Sequence, residues 1–314
     1  MLKLHDVWSF FVIIEVEVIM IKKEFINSSS DNLKLEVAYI IPKGEIKRVV
    51  QILHGMCEHK ERYYDFMRFL ADNKYAVFIH DHRGHGQSCS NLGDFNTTNY
   101  KYIIDDAKNV NDFIKQKLPN DKIYMFSHSM GTLVARGFIQ ENDNMLDKLI
   151  LCGPPTKNEL APIALTIANF FNLIGMGNET NKFLDKLTFK TYNKRFPNNT
   201  WLSKNEENVI NYKNDELCGF AFTTNGFINL YKLMINAFKK KQYHVNNPKL
   251  KIMLIAGSDD PVIQNEKKFI ELQHFLHDVG YSRIESKLYK ELRHELLNEK
   301  EKSVFQDILK FLDE

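Results

Sequence analysis

Short apolar runs recur along this chain near residues 33–41, 49–53, 75–79, 122–126, 148–151, 251–256 and 284–289. Runs of this length, most of them bounded by turn-forming residues, read as strands rather than helices. Helical spacing fills most of the gaps. Tyr63, Phe66, Met67 and Leu70 mark one helix, Ile103, Ile104, Ala107, Val110 and Ile114 a second, and Val304, Phe305, Ile308, Leu309 and Leu312 a terminal one. Parallel neighbours need crossover connections, so the alternation predicts an α/β fold: a mostly parallel central sheet with helices on both faces.

The rhythm breaks between Gly153-Pro154-Pro155 and Asn246-Asn247-Pro248. Roughly 90 residues are far too many for a plain connection. The break holds an apolar amphipathic stretch at 160–174 and a second helical pattern at 227–238. Residues 155–246 are therefore expected to form an inserted helical cap, with 20–154 and 247–314 making the core. Phe170, Phe171, Leu173 and Leu233 would pack that cap or line a tunnel beneath it.

One strand-to-helix junction carries chemistry. Ser127-His128-Ser129-Met130-Gly131 follows the run at 122–126 and precedes the packed sequence Leu133 to Ile139. A serine flanked by small residues two places on either side suits a nucleophile elbow, a turn too sharp for side chains at its flanks. The usual pattern is G-x-S-x-G, and here Ser127 stands for the first glycine. A plain alternative is a polar turn with Ser129 as an N-cap.

A serine hydroxyl needs a base, and the base an orienting acid. Downstream, Gly257-Ser258-Asp259-Asp260-Pro261 closes a strand, and Arg293-His294-Glu295 follows the last one. Both sit at the carboxyl ends of strands, where open α/β sheets place functional groups. Asp260 precedes Pro261 and is held toward extended geometry, so it is favoured over Asp259 as the acid. Early in the chain His54-Gly55-Met56 ends another strand. The backbone N–H groups of Met56 and Met130 are the expected oxyanion donors, and Gly55, Met56 and His128 the expected substrate contacts. Cys57 lacks an elbow and reads as a packed residue rather than a rival nucleophile.

These segments resemble the monoacylglycerol lipase and lysophospholipase branch of the α/β-hydrolases. The likeness rests on His54-Gly55-Met56-Cys57-Glu58-His59 with Arg62-Tyr63, on Asp81-His82-Arg83-Gly84-His85-Gly86-Gln87-Ser88, and on the Ser129, Asp260 and His294 segments. It runs from about residue 21 to the C-terminus in the family's order. The resemblance implies Ser129 as nucleophile, Asp260 as acid, His294 as base, no cofactor, and cleavage of esters of single-chain lipids. Thioesterase, acyltransferase or proline-type peptidase activity would use the same triad, and a binding protein on this scaffold is the non-enzymatic alternative.

The histidines at 80, 82 and 85 approach the H-x-H-x-D-H spacing of two-metal hydrolases, but Gly84 occupies the aspartate position. Metal binding is not expected, and these side chains are read as hydrogen-bonding within a loop. A net charge of +2 sets up no field for nucleic acid. Four cysteines without a C-x-x-C pair suit a reducing, cytoplasmic setting. Residues 7–21 are apolar but interrupted by Glu15 and Glu17, which rules out a membrane span. Residues 1–19 are expected to be a dispensable extension, with a peripheral membrane anchor as the alternative. Transient membrane-surface contact through the cap or the N-terminal extension is the one macromolecular encounter expected, and the sequence does not indicate an oligomeric state.

Overall fold

The computed structural model describes residues 20–119 and 122–314, so the extension expected at 1–19 falls outside the described residues. In chain order the elements begin β1 (Lys22–Asn27), β2 (Lys34–Ile40), β3 (Arg48–Leu53), α1 (Tyr64–Asp72), β4 (Tyr75–His80) and α2 (Lys101–Lys117). There follow β5 (Ile123–His128), α3 (Met130–Asn142), β6 (Leu146–Cys152), α4 (Ala161–Leu173), α5 (Lys182–Arg195) and α6 (Glu206–Asn214). The chain finishes with α7 (Thr224–Asn236), β7 (Lys251–Gly257), α8 (Glu266–Asp278), β8 (Arg283–Tyr289) and α9 (Ser303–Asp313).

Among the described residues eight strands form one sheet, in the order β1-β2-β4-β3-β5-β6-β7-β8. From β4 across to β8 the pairings are parallel, whereas β1, β2 and β4 pair antiparallel. The edge strand β1 carries exposed Lys22 and Lys23, which discourages further pairing. Successive residues of the central strands feed opposite cores, as the period of two requires. Val49, Leu53 and Met125 join α2, α3 and α8 on one face. Val50, Ile52, Tyr124 and Phe126 join α1 and α9 on the other.

Helices α4 to α7 occupy the interval between β6 and β7, where the βα rhythm fails. Helix α7 is the best anchored of them, burying Phe227, Ile228, Leu230 and Leu233 in the same core as α3. One boundary differs from the sequence reading. Strand β5 runs on to His128, so Ser127 and His128 are strand residues and the turn begins at Ser129 itself. Among the described residues no helix is long and apolar enough to cross a membrane.

Candidate active site

Ser129 joins β5 directly to α3 at φ 50° and ψ −119°, a strained geometry for a residue with a side chain. Its side chain caps nothing, which removes the N-cap explanation. The close fit of the elbow explains its small flanks. A Cβ on Gly131 would strike the carbonyl oxygens of Leu53 and His54 at the end of β3. Ser127 is fully buried, and its hydroxyl donates to the Ile150 carbonyl at 2.8 Å. The substitution for glycine is thus accommodated with its polar atom satisfied.

Asp260 and His294 meet as expected. Asp260 Oδ2 lies 2.9 Å from His294 Nδ1, and both side chains are almost fully buried. The other carboxylate oxygen accepts from the Val262 amide at 2.8 Å, which fixes the rotation of the carboxylate. The backbone at Asp260 is extended, φ −70° and ψ 113°, as a residue preceding proline should be. Asp259 points elsewhere, partly exposed, with Arg195 at 3.6 Å. Gly153, at φ +55°, leaves room for this pair, since a Cβ there would sit 3.0 Å from the His294 ring and 3.3 Å from Asp260.

The His54-Gly55-Met56 turn lies against the elbow: a Cβ on Gly55 would come within 3.1 Å of Ser129 Cβ. Met130 opens α3, where the first amides of a helix have no partner within it. Among the described residues the Met56 and Met130 amides donate to no protein acceptor. Gly55, Met56, His128, Ser129, Met130 and His294 all line one cavity of about 610 Å³. Residues of α4, α5 and α7 wall its other side, including Ile163, Leu187, Leu230 and Met234. The lining is mostly apolar, as small-molecule sites are.

Several residues at the site have roles that sequence patterning does not show. Trp201 lies tilted beside the His294 ring, 5.3 Å between centroids, and its carbonyl accepts from the His294 amide at 3.5 Å. The Glu295 amide donates to Leu202 at 2.7 Å, so residues between α5 and α6 hold the loop that carries His294. Glu58 accepts from the Gly55 amide at 2.5 Å and from Tyr63 at 2.8 Å. Burial opposes its charge, yet the hydrogen bond from His128 and the nearby Arg62 guanidinium hold Glu58 well below the usual carboxylate range. His128 is engaged at both ring nitrogens, so it presents a ring face to the cavity rather than a free N–H.

The hydrogen bonding expected of the histidines at 80, 82 and 85 is found for two of them: His80, the last residue of β4, has no hydrogen-bond partner at either ring nitrogen among the described residues. His82 bonds the backbone of His54, and His85 accepts from the Cys57 amide at 3.3 Å. Burial pushes His80 and His85 down to about 4, and holds His54 and His82 well below the ordinary histidine value, so all four are neutral at pH 7. Arg83 is buried in an ion pair with Asp106 at 2.6 Å. Cys57 is buried and its thiol is pushed well up by desolvation, which argues against a thiolate nucleophile. Among the described residues one His/Asp/Cys group converges as metal ligands could: His59, Asp215 and Cys218, within 4.8 Å. It lies outside the serine cavity's lining, and His59 Nε2 is already bonded to Asp215 at 2.7 Å.

Comparison with known proteins identifies the family and the fold. A family model described as "Serine aminopeptidase, S33" matches residues 44–301. The "Monoglyceride lipase homolog" of Monkeypox virus is 25% identical over 285 residues, 88% of this chain and 94% of that protein. The "Monoglyceride lipase" of Mus musculus is 24% identical, over 78% of this chain and 76% of its own. Among solved structures, a thermostable carboxyl esterase from Bacillus coagulans superposes with a TM-score of 0.86 at 24% identity, covering 93% of this chain and 98% of that one. At that identity the superposition speaks for the α/β-hydrolase fold alone.

Proposed function

The chain belongs to the serine aminopeptidase family of α/β-hydrolases, and from that premise we propose that it is a serine carboxylic-ester hydrolase acting on esters of single-chain lipids. The observation that carries the reading is that the strained Ser129 and His294, the latter bonded to Asp260, both line one largely apolar cavity. In this mechanism His294 takes the Ser129 proton, and the serine oxygen attacks the ester carbonyl. The carbonyl oxygen becomes an oxyanion held by the Met56 and Met130 amides. Collapse expels the alcohol, protonated by His294, and leaves an acyl-serine. Water, deprotonated by the same imidazole, then releases the acid. Asp260 holds the imidazole in its working tautomer. No cofactor enters these steps.

An aminopeptidase would need a free carboxylate to receive the substrate's amino group. Glu58 and Glu295 are the carboxylates on the cavity wall among the described residues, and both are bonded to Arg62. That disfavours recognition of a free amino group and favours an apolar acyl chain in the cavity. Monoacylglycerols and lysophospholipids fit this chemistry, with Gly55, Met56 and His128 beside the scissile ester.

Helices α4 to α7 act in this reading as a cap, residues 155–246, and as a transient contact with a lipid surface. Leu160, Ile163 and Leu187 line the cavity and are also exposed, and Phe170 and Leu173 extend the same apolar surface outward. Four free cysteines suit a cytoplasmic enzyme working at the inner face of a membrane. The test is a panel: p-nitrophenyl esters of graded chain length, monoacylglycerol, lysophospholipid, an acyl thioester and aminoacyl amides. The reading requires turnover of the lipid esters well above that of the amides. Preference for the amides would replace it with the peptidase.

A further inference from the structure

His128 immediately precedes the candidate nucleophile, yet its ring is used by the protein rather than left for a ligand. Nε2 lies 3.3 Å from the carbonyl oxygen of His294, and Nδ1 lies 3.0 Å from Glu58 Oε1. A carbonyl oxygen only accepts, so Nε2 must carry a hydrogen. Glu58 is surrounded by donors: the Gly55 amide and Tyr63 hydroxyl on Oε1, and Arg62 Nη1 at 2.7 Å on Oε2. A carboxylate so surrounded stays ionised, and Nδ1 must supply a hydrogen as well.

The partners continue into a circuit. Arg62 also grips Glu295 with Nη1 and Nη2, each at 2.7 Å. Glu295 is the residue after His294, so the peptide unit whose carbonyl receives His128 leads directly to the carboxylate held by Arg62. We propose that His128 is a doubly protonated imidazolium that closes a buried ring of alternating charges, His128–Glu58–Arg62–Glu295, around the peptide following His294. The ring is a positioning device: it seats the candidate base through its own backbone and, through Glu58, seats the Gly55 amide beside the oxyanion donors. It rests on the reading of His294 as base and extends it.

The charges sum to zero, so each buried ion has a partner and the desolvation cost is offset within the ring. The groups facing His128 are Glu58 and Tyr63 from the segment before α1, Cys152 opposite it on β6, and His294 and Glu295 from the loop after β8. Burial works against the charged imidazole, but the Glu58 hydrogen bond and charge outweigh it and raise His128 above the ordinary value. The ring is therefore closed while His128 is protonated and opens as pH rises through the raised value. Asn208 of α6 also donates to Glu295 at 2.6 Å, which ties the ring to the cap.

Protonation of His128 can be read on the wild-type protein with nitrogen-15-labelled histidine. Both ring nitrogens should carry hydrogen at pH 7, and a neutral tautomer there overturns the proposal. Glu58→Gln should strip the second hydrogen and lower kcat about ten- to a hundred-fold, with KM held within about a factor of two. The alkaline step in kcat should move to lower pH. Arg62→Lys should keep more activity than Arg62→Met. A Glu58→Gln protein that retains both hydrogens, or an unchanged pH profile, also overturns the proposal. Failure of the underlying triad is a separate result: Ser129→Ala would keep its activity while His128 stayed doubly protonated.

Discussion

The hydroxyl of Ser127 donates to the carbonyl of Ile150 across the β5–β6 pairing, at 2.8 Å and out of contact with solvent. It occupies the place where such elbows usually have glycine. The serine therefore adds a cross-strand tie at the base of the turn that glycine cannot make. Ser127→Gly should leave kcat/KM within about three-fold and cost about 1 kcal/mol, read as a lower urea midpoint at unchanged slope. A large loss of activity would show that the side chain also shapes the elbow.

Gly131 is the less forgiving neighbour. Its missing Cβ is where the carbonyl oxygens of Leu53 and His54 lie, and backbone there cannot move without carrying the Gly55 turn with it. Gly131→Ala should separate the candidate nucleophile from the oxyanion donors and lower kcat about a hundred-fold. Steady-state kinetics on a short-chain ester measures this, with circular dichroism to show that the chain still folds.

The adjacent aspartates should behave differently. Asp260→Asn keeps the shape but removes the charge facing His294 Nδ1, and kcat should fall about 10³- to 10⁴-fold. Asp259→Asn loses only a partly exposed contact to Arg195 and should remain near wild type. Equal losses in the two variants would reverse the assignment of the acid.

The outer surface of α4 offers a test of membrane contact. Phe170 and Leu173 are 59% and 84% exposed, far more than apolar side chains need be on a helix that only packs inward. Phe170→Glu with Leu173→Glu should weaken co-sedimentation with phospholipid vesicles about ten-fold or more, because each burial forgone is of the order of 1.5–3 kcal/mol. Hydrolysis of a soluble short-chain ester should be unaffected. Undiminished vesicle binding would place the contact elsewhere.

Much of the core was legible because its strands are short apolar runs and its turns are marked by glycine, proline and aspartate. Helix α8 carries a stripe as well, Phe269, Leu272 and Leu276, although the reading by strands passes over it. The helices between β6 and β7 were legible only in part. Helices α4 and α7 are apolar enough to stand out, but α5 and α6 bury few side chains and lack a continuous stripe. Ser129, Asp260 and His294 could be found because each occupies a punctuated strand end. Trp201 could not, since an aromatic in a long irregular stretch says nothing about which imidazole it will cover. Nor could the Glu58–Arg62–Glu295 chain, whose members are ordinary charged residues until the fold brings residue 295 beside residue 62.

The central claim is that Ser129 is the atom-bearing nucleophile of an acyl-transfer site. Incubation with a fluorophosphonate followed by peptide mass spectrometry tests it most directly. The account requires one phosphonyl group, carried on Ser129, with ester hydrolysis lost in step with its attachment and no labelling of Ser129→Ala. Adduct on a different residue, or full hydrolytic activity in Ser129→Ala, would contradict it.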